Sequence, residues 1–312
     1  MNFHFDKAVS ILGQTYPFVI LRLLVYVAAV FVTVAWFAGI WFLFIDWPFP
    51  GPPWLAWVIG GILYGKGASL VRNYVLYLVK AAHIGVITEL VRNGRLPAGS
   101  NQFSFGRDII LNHFLRVSIL FAVDGLVRVV VRAFNRSVFK LIGFIPGIEN
   151  LKGFFQKVLD YSLGYVDEAI LSYTLTQPER NPWSSAKDGL ILYVQNWKTV
   201  LGSGFILALI SYVVVGVFAA PGVLLAYLGI GPFGKAIAAI FVGLGLLVKF
   251  IFMDPFALVS VIVNYHEAIR GQVADPQWSN RLSEVSKKFG DFDKKAKEWG
   301  SPSGPPPAPA SS

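Results

Sequence analysis

The sequence predicts an all-α integral membrane protein built on two transmembrane helical hairpins, with amphipathic helices on the cytoplasmic side. Three observations carry that reading. The 312 residues are 55% hydrophobic and only 14% charged, with a mean hydropathy of +0.58, whereas soluble domains carry about 25% charged residues. Two long apolar runs each fold back at a turn that holds no Lys or Arg. The 27 Lys and Arg outnumber 18 Asp and Glu for a net charge of +9, and the basic residues gather outside those runs. So little charge cannot cover the surface of the chain, and much of that surface has to meet lipid.

The first hairpin belongs to a segment, residues 1–94, that opens with a short amphipathic helix. Its first arm starts near Ile20 and runs to Ile45, longer than the roughly 20 apolar residues a span needs. The run is too long, and too poor in small-x-small sites, to be a cleaved signal peptide. It breaks at 46–53, a stretch rich in Pro, and resumes at Trp54; Lys66 and Arg72 follow, so the second arm spans only by snorkelling at its end. The second hairpin, residues 199–271, has no charge from Thr199 to Gly234. It is expected to break at Pro221-Gly222 and around Gly229–Pro232, and to return from Ala236 to Met253 between Lys235 and Asp254.

Charge placement sets the orientation. Both turns lack Lys and Arg, while Arg92, Arg95, Arg107, Lys152, Lys157, Lys287 and Lys288 lie elsewhere. The turns are therefore expected outside and both termini in the cytoplasm, in the plasma (inner) membrane. Trp36, Trp41, Trp47, Trp54 and Trp57 around the first turn match an interfacial aromatic belt.

The middle, residues 95–198, reads as amphipathic or half-inserted helix. Arg128, Arg132, Arg136 and Lys140 recur every four residues and so share one helix face, where they suit lipid head groups. A single crossing by 108–134 would put a basic stretch outside, against the positive-inside bias. A second such helix is expected over Ile148–Tyr173, with Leu151, Phe155, Leu159 and Tyr165 on one face. In residues 272–300, Trp278, Leu282, Val285, Phe289, Phe292, Ala296 and Trp299 alternate by fours and threes. That heptad seam docks on the chain itself, lies on the membrane, or joins copies in a homo-oligomer. Residues 301–312 are a Pro-rich disordered end.

The two halves share a layout. From Ile20 to the stop at Glu89 is 69 residues, and from Thr199 to Glu267 is 68. Both hairpins enter from the cytoplasm, which would make a repeat parallel; against it stands the fact that any two membrane hairpins look alike at this level.

No catalytic chemistry is indicated. Gly229-x-Gly231-x-x-Gly234 lacks a βαβ context, and Gly60-x-x-x-x-Gly65-Lys66-Gly67 lacks the closing hydroxyl residue of a phosphate loop. No HExxH or GxSxG pattern occurs. Zero cysteines remove disulfides and thiolate sites, and 4 scattered histidines argue against a metal or other cofactor. The basic residues interleave with apolar runs, which points to membrane lipids as partner and away from nucleic acid. The better lead is charge beside apolar runs, because burying charge in lipid is costly. Asp254-Pro255 reads as a helix end followed by a new start, with Lys249 as partner to Asp254. Such a break binds substrate or merely marks the membrane surface. Asp124 sits one turn before Arg128 and pairs with it or meets substrate. His83, His113 and His266 are expected at the interface.

One stretch resembles a known family. Asn181, Ser185, Ala186, Lys187, Leu192 and Asn196, in the run 181–196, are similar in register to a signature of the choline transporter-like proteins. Trp183 stands where that family usually has Cys. Two spans follow, then an apolar segment holding Asp254, so the resemblance covers roughly 161–270. It implies movement of choline-like or ethanolamine-like small solutes across a membrane. The competing expectation is a non-transporting scaffold that binds anionic lipid or recruits partners through its basic helices.

Overall fold

The computed structural model describes residues 3–45, 52, 54–112, 114–142, 152–228 and 234–299, and among these described residues helix is the only regular secondary structure. In order these are α1 (Phe5–Gln14), α2 (Tyr16–Ile45), α3 (Trp54–Asn93), α4 (Gln102–Asn112), α5 (Phe114–Ile142) and α6 (Lys152–Leu175). There follow α7 (Pro182–Gln195), α8 (Trp197–Tyr227), α9 (Gly234–Val248), α10 (Asp254–Ala268), α11 (Pro276–Val285) and α12 (Asp291–Trp299). Among the described residues, three stretches are long and apolar enough to cross a membrane: Tyr16–Phe42, Trp197–Tyr227 and Gly234–Ala268.

Two surfaces divide the molecule. Along α2, the start of α3, the far end of α8 and α9, residues such as Phe31, Phe42, Ile62, Val217 and Leu224 point outward. So continuous an exposed apolar patch, on helices long and apolar enough to span a membrane, suggests membrane association. The other surface encloses a true core. Here α6 is central, packed by α3, α5, α7, α8 and α10, and Val166–Ser172 is buried on every face. This corrects the expected amphipathic helix over Ile148–Tyr173. The helix starts at Lys152, and it is the core helix because five neighbours cover it. Residues 148–151 lie outside the described ones, as do the side chains of Phe155 and Leu159.

The hairpins pack at their tips. Trp36 Nε1 donates to the Gly60 carbonyl at 3.1 Å, and Trp41 and Phe37 meet the Trp57 ring at 6.3 and 6.1 Å. A side chain at Gly60 would strike Ile40, whereas Gly65 and Gly67 of the near phosphate-loop pattern have open space beside them; Trp47 lies outside the described residues. In the second hairpin the expected break at Pro221-Gly222 does not occur, and α8 continues through Pro221 to Tyr227. Apolar surroundings offer no water to take up freed backbone groups, so a helix persists through Pro where an aqueous loop would turn. Gly222 serves contact instead: a Cβ there would stand 2.6 Å from Phe241 Cβ and 2.9 Å from the Ala238 backbone.

Nor does the chain restart at Asp254-Pro255. Val248, Met253 and Asp254 are all right-handed helical, and residues Lys249–Met253 form one wide π turn joining α9 to α10. Proline cannot donate to the carbonyl a turn earlier and crowds it. A π turn absorbs that mismatch without ending the helix.

The tail is also corrected. The seam from Trp278 to Trp299 is two short helices separated by an extended Ser286 and a 3₁₀ turn at Lys287–Gly290. Leu282, Phe289 and Phe292 are buried against α5 and α7. The seam's main apolar side chains are therefore covered by the chain itself.

The layout of the two halves recurs locally. A short helix, a one-residue joint and a long helix follow one another at α1–Thr15–α2 and at α7–Asn196–α8. The chain after each hairpin turns on a left-handed glycine, Gly94 at φ +70° and Gly271 at φ +73°, a conformation that other residues resist. Packing then differs: α4 folds back on α3, whereas α11 docks on α5 and α7.

Candidate functional site

The core helix α6 carries charge where apolar residues would be cheaper. Asp167 and Glu168 are 1% and 2% exposed, and buried charge persists only with partners. Lys80 of α3 forms an ion pair with Glu168. Arg128 of α5 reaches both Asp167 Oδ2, at 2.8 Å, and Asp124 Oδ2, at 3.0 Å. The Asp124–Arg128 pair expected from their spacing is therefore present, but it is part of a larger group. Two cations face three carboxylates, so one carboxyl favours its proton. Burial first, and then the Asp124 charge, push the Asp167 carboxyl up to about 7, with Lys80 and Arg128 opposing. Burial raises Asp124 as well, against the pull of Arg128.

A cavity of about 670 Å³ opens beside this group. Lys80, Arg128, Arg132 and Arg136 supply its basic lining, and Asp160 and Asp167 its acidic lining. The arginine stripe thus does share one face, and that face borders a cavity; the Lys140 side chain lies outside the described residues. A second cavity of about 410 Å³ shares Lys80, Asp160 and Gly164 with the first, and reaches Arg22 and Tyr26 of α2 and Asp254 of α10. The two cavities thus adjoin along Lys80, Asp160 and Gly164, between α5 and α2.

At the second cavity, donors converge on Asp254 Oδ1. Lys249 Nζ stands at 2.8 Å, the Tyr161 hydroxyl at 2.6 Å and the Tyr165 hydroxyl at 3.0 Å. The Lys249 ammonium also lies 4.4 Å from the Tyr161 ring centre and 4.7 Å from that of Phe250. A carboxylate with two aromatic faces is the cage an organic ammonium wants, and here the chain's own lysine occupies it. The π turn places Lys249 there. Lys249 and Asp254, paired on sequence grounds, are paired in space.

Comparison of the chain with protein-family models, curated proteins and solved structures finds no match.

The residues of the run 181–196 singled out by the resemblance contact the tail. Asn181 caps α7, accepting from the Trp183 backbone N–H at 2.9 Å, and donates to the Ala296 carbonyl at 2.9 Å. Lys187 pairs with Asp293 at 2.8 Å, Ser185 and Ala186 are buried, and Asn196 donates to Gln272 at 2.8 Å. These contacts hold α12 and the start of the tail onto α7, and none of the five residues is in the lining of either cavity.

Of the three histidines expected at the interface, His83 lies instead in the core. His83 is fully buried, its ring stacked on Phe18 at 4.8 Å. The Ser172 hydroxyl sits 2.8 Å from His266 Nε2 and 2.6 Å from the Thr88 hydroxyl. That chain ties α3, α6 and α10 together. Ser172 is fully buried and borders neither cavity, so the pair is a clamp between helices. His113 lies outside the described residues.

Sequence reading missed Lys80, Tyr161, Tyr165, Asp167 and Glu168. The available signal was an acidic pair inside the apolar run Tyr165–Leu171, and a lysine inside Val75–Ile87.

Proposed function

We propose that the protein is a multi-pass membrane transporter or permeation protein for a small polar solute, with both termini cytoplasmic. The observation that carries this reading is the crevice of two adjoining cavities, about 670 and 410 Å³, lined by charge at the foot of apolar helices. A structural body gains nothing from a charged void, because desolvated charge is costly; a solute that completes the coordination offsets it. Cavities of this size fall within the range of small-molecule sites. The Lys- and Arg-free turns support the orientation.

The resemblance adds a choline-like solute. The composition of the Asp254 cage supports it, with Lys249 as the group such a cation would displace. Uptake of labelled choline into proteoliposomes, with a panel of small anions and zwitterions beside it, tests both levels. Choline uptake above empty vesicles is expected if the resemblance carries function. Uptake of another solute alone removes the choline version, and uptake of none removes transport.

The second reading is a non-transporting scaffold that binds anionic lipid or recruits partners. The exposed Arg132 and Arg136 favour it. It predicts silent proteoliposomes together with preferential reconstitution into anionic bilayers.

A further inference from the structure

We propose that the larger cavity binds a phosphate group, borne by a free phosphate compound or by a lipid head group; this rests on the crevice being a ligand site. The first reason is which charges are already satisfied. Asp254 has Lys249, Glu168 has Lys80, and Asp124 and Asp167 share Arg128. Arg132 and Arg136 have no carboxylate partner among the described residues. With Lys80 and Arg128 balanced by Glu168 and Asp124, and the Asp167 carboxyl favouring its proton, Arg132 and Arg136 remain in the lining against Asp160 alone, so an anion entering here is favoured over a cation.

The second reason is donor geometry. Arg128, Arg132 and Arg136 stand one turn apart along α5, and Lys80 faces the same space from α3. Arg128 directs Nη2 to its two carboxylates, while its Nε is buried without an acceptor. A buried donor left open calls for a partner. Guanidinium groups match tetrahedral phosphate oxygens with paired N–H donors, which a single point charge does not.

The third reason is room. The cavity is far larger than phosphate alone, and its floor at Gly164 is bare, with open space where a Cβ would stand. Gly164 also lines the second cavity, whose wall includes Tyr161, Tyr165, Val79 and Leu258. An organic remainder attached to the phosphate fits along that direction, toward the exposed apolar helix α2.

The test is calorimetric titration of the full chain in neutral detergent at fixed ionic strength, with inorganic phosphate and with dihexanoyl phosphatidic acid as probes. Saturable binding of at least one probe is expected. Binding of the lipid probe alone assigns a head group, and comparable binding of inorganic phosphate assigns a free phosphate compound. The double variant R132Q/R136Q should weaken binding by about tenfold for each lost charge-assisted contact. Asp160→Asn removes an unpaired carboxylate from the lining and should tighten binding by roughly two- to fivefold, a gain that misfolding cannot mimic. No binding of either probe overturns the proposal, as does a double variant that binds like wild type or an Asp160→Asn variant that fails to bind more tightly. Binding without proteoliposome uptake removes transport and leaves the phosphate site. Uptake without phosphate binding does the reverse.

Discussion

Asp167 is the residue with the most at stake. It is buried with Asp124 and Glu168 on the acidic side, and Arg128 and Lys80 on the basic side. Because its carboxyl is raised to about 7 from an ordinary 3.8, the folded state holds the proton more tightly than the unfolded chain. The stability this contributes is complete below about pH 4 and disappears as pH rises through about 7. Asp167→Asn should therefore flatten the fall in Tm between pH 4.5 and 8 that this group causes. A profile parallel to wild type would mean that no carboxyl of the group holds a proton. The Asp124–Arg128 half of the group was legible from a four-residue spacing on one helix. Asp167 was not, because its partners come from α3 and α5, and no local pattern tells which distant helices will cover a carboxylate.

Helices were legible as far as hydropathy reaches. The arms near Ile20–Ile45 and Ala236–Met253 follow from apolar length alone. Their interruptions did not follow, since Pro221 and Pro255 carry the meaning of a turn only where water can replace the lost hydrogen bond. Glycine shows the same dependence on surroundings. Gly222 lies against Phe241 and Ala238, whereas Gly216 on the same helix has no atom within 4 Å of an added Cβ. Gly222→Ala should thus destabilise by about 1–3 kcal/mol through overpacking. Gly216→Ala should be neutral or stabilise by up to about 1 kcal/mol through helix propensity. Thermal unfolding of the two variants in one detergent measures the contrast, and equal effects would mean that α8 and α9 do not pack at this point.

At the scale of the whole molecule, composition gave the membrane class but not the division of labour between an apolar, outward-facing set of helices and a packed body. That division depends on tertiary contact: α6 reads as amphipathic in isolation and becomes a core helix only when α3, α5, α7, α8 and α10 surround it. The tail belongs to the same body. Phe289 and Phe292 are 1% and 0% exposed against α5 and α7, so Phe292→Ala should loosen the docking by about 3–5 kcal/mol. Faster proteolysis at Lys294 and Lys295 with unchanged particle mass is the expected outcome. A lower mass in light scattering with unchanged proteolysis would instead identify the seam as a contact between copies.

The lysine in the aromatic cage has a consequence for any cation meant to enter there. A side chain tethered on its own helix is present at its site at an effective concentration of the order of millimolar or more. An incoming ammonium therefore competes with a ligand that never diffuses away, and its apparent affinity is scaled down by the fraction of time that Lys249 leaves the cage open. Weak apparent binding at this cage, relieved when Lys249 is shortened, would be the mark of a chain that carries its own competitor.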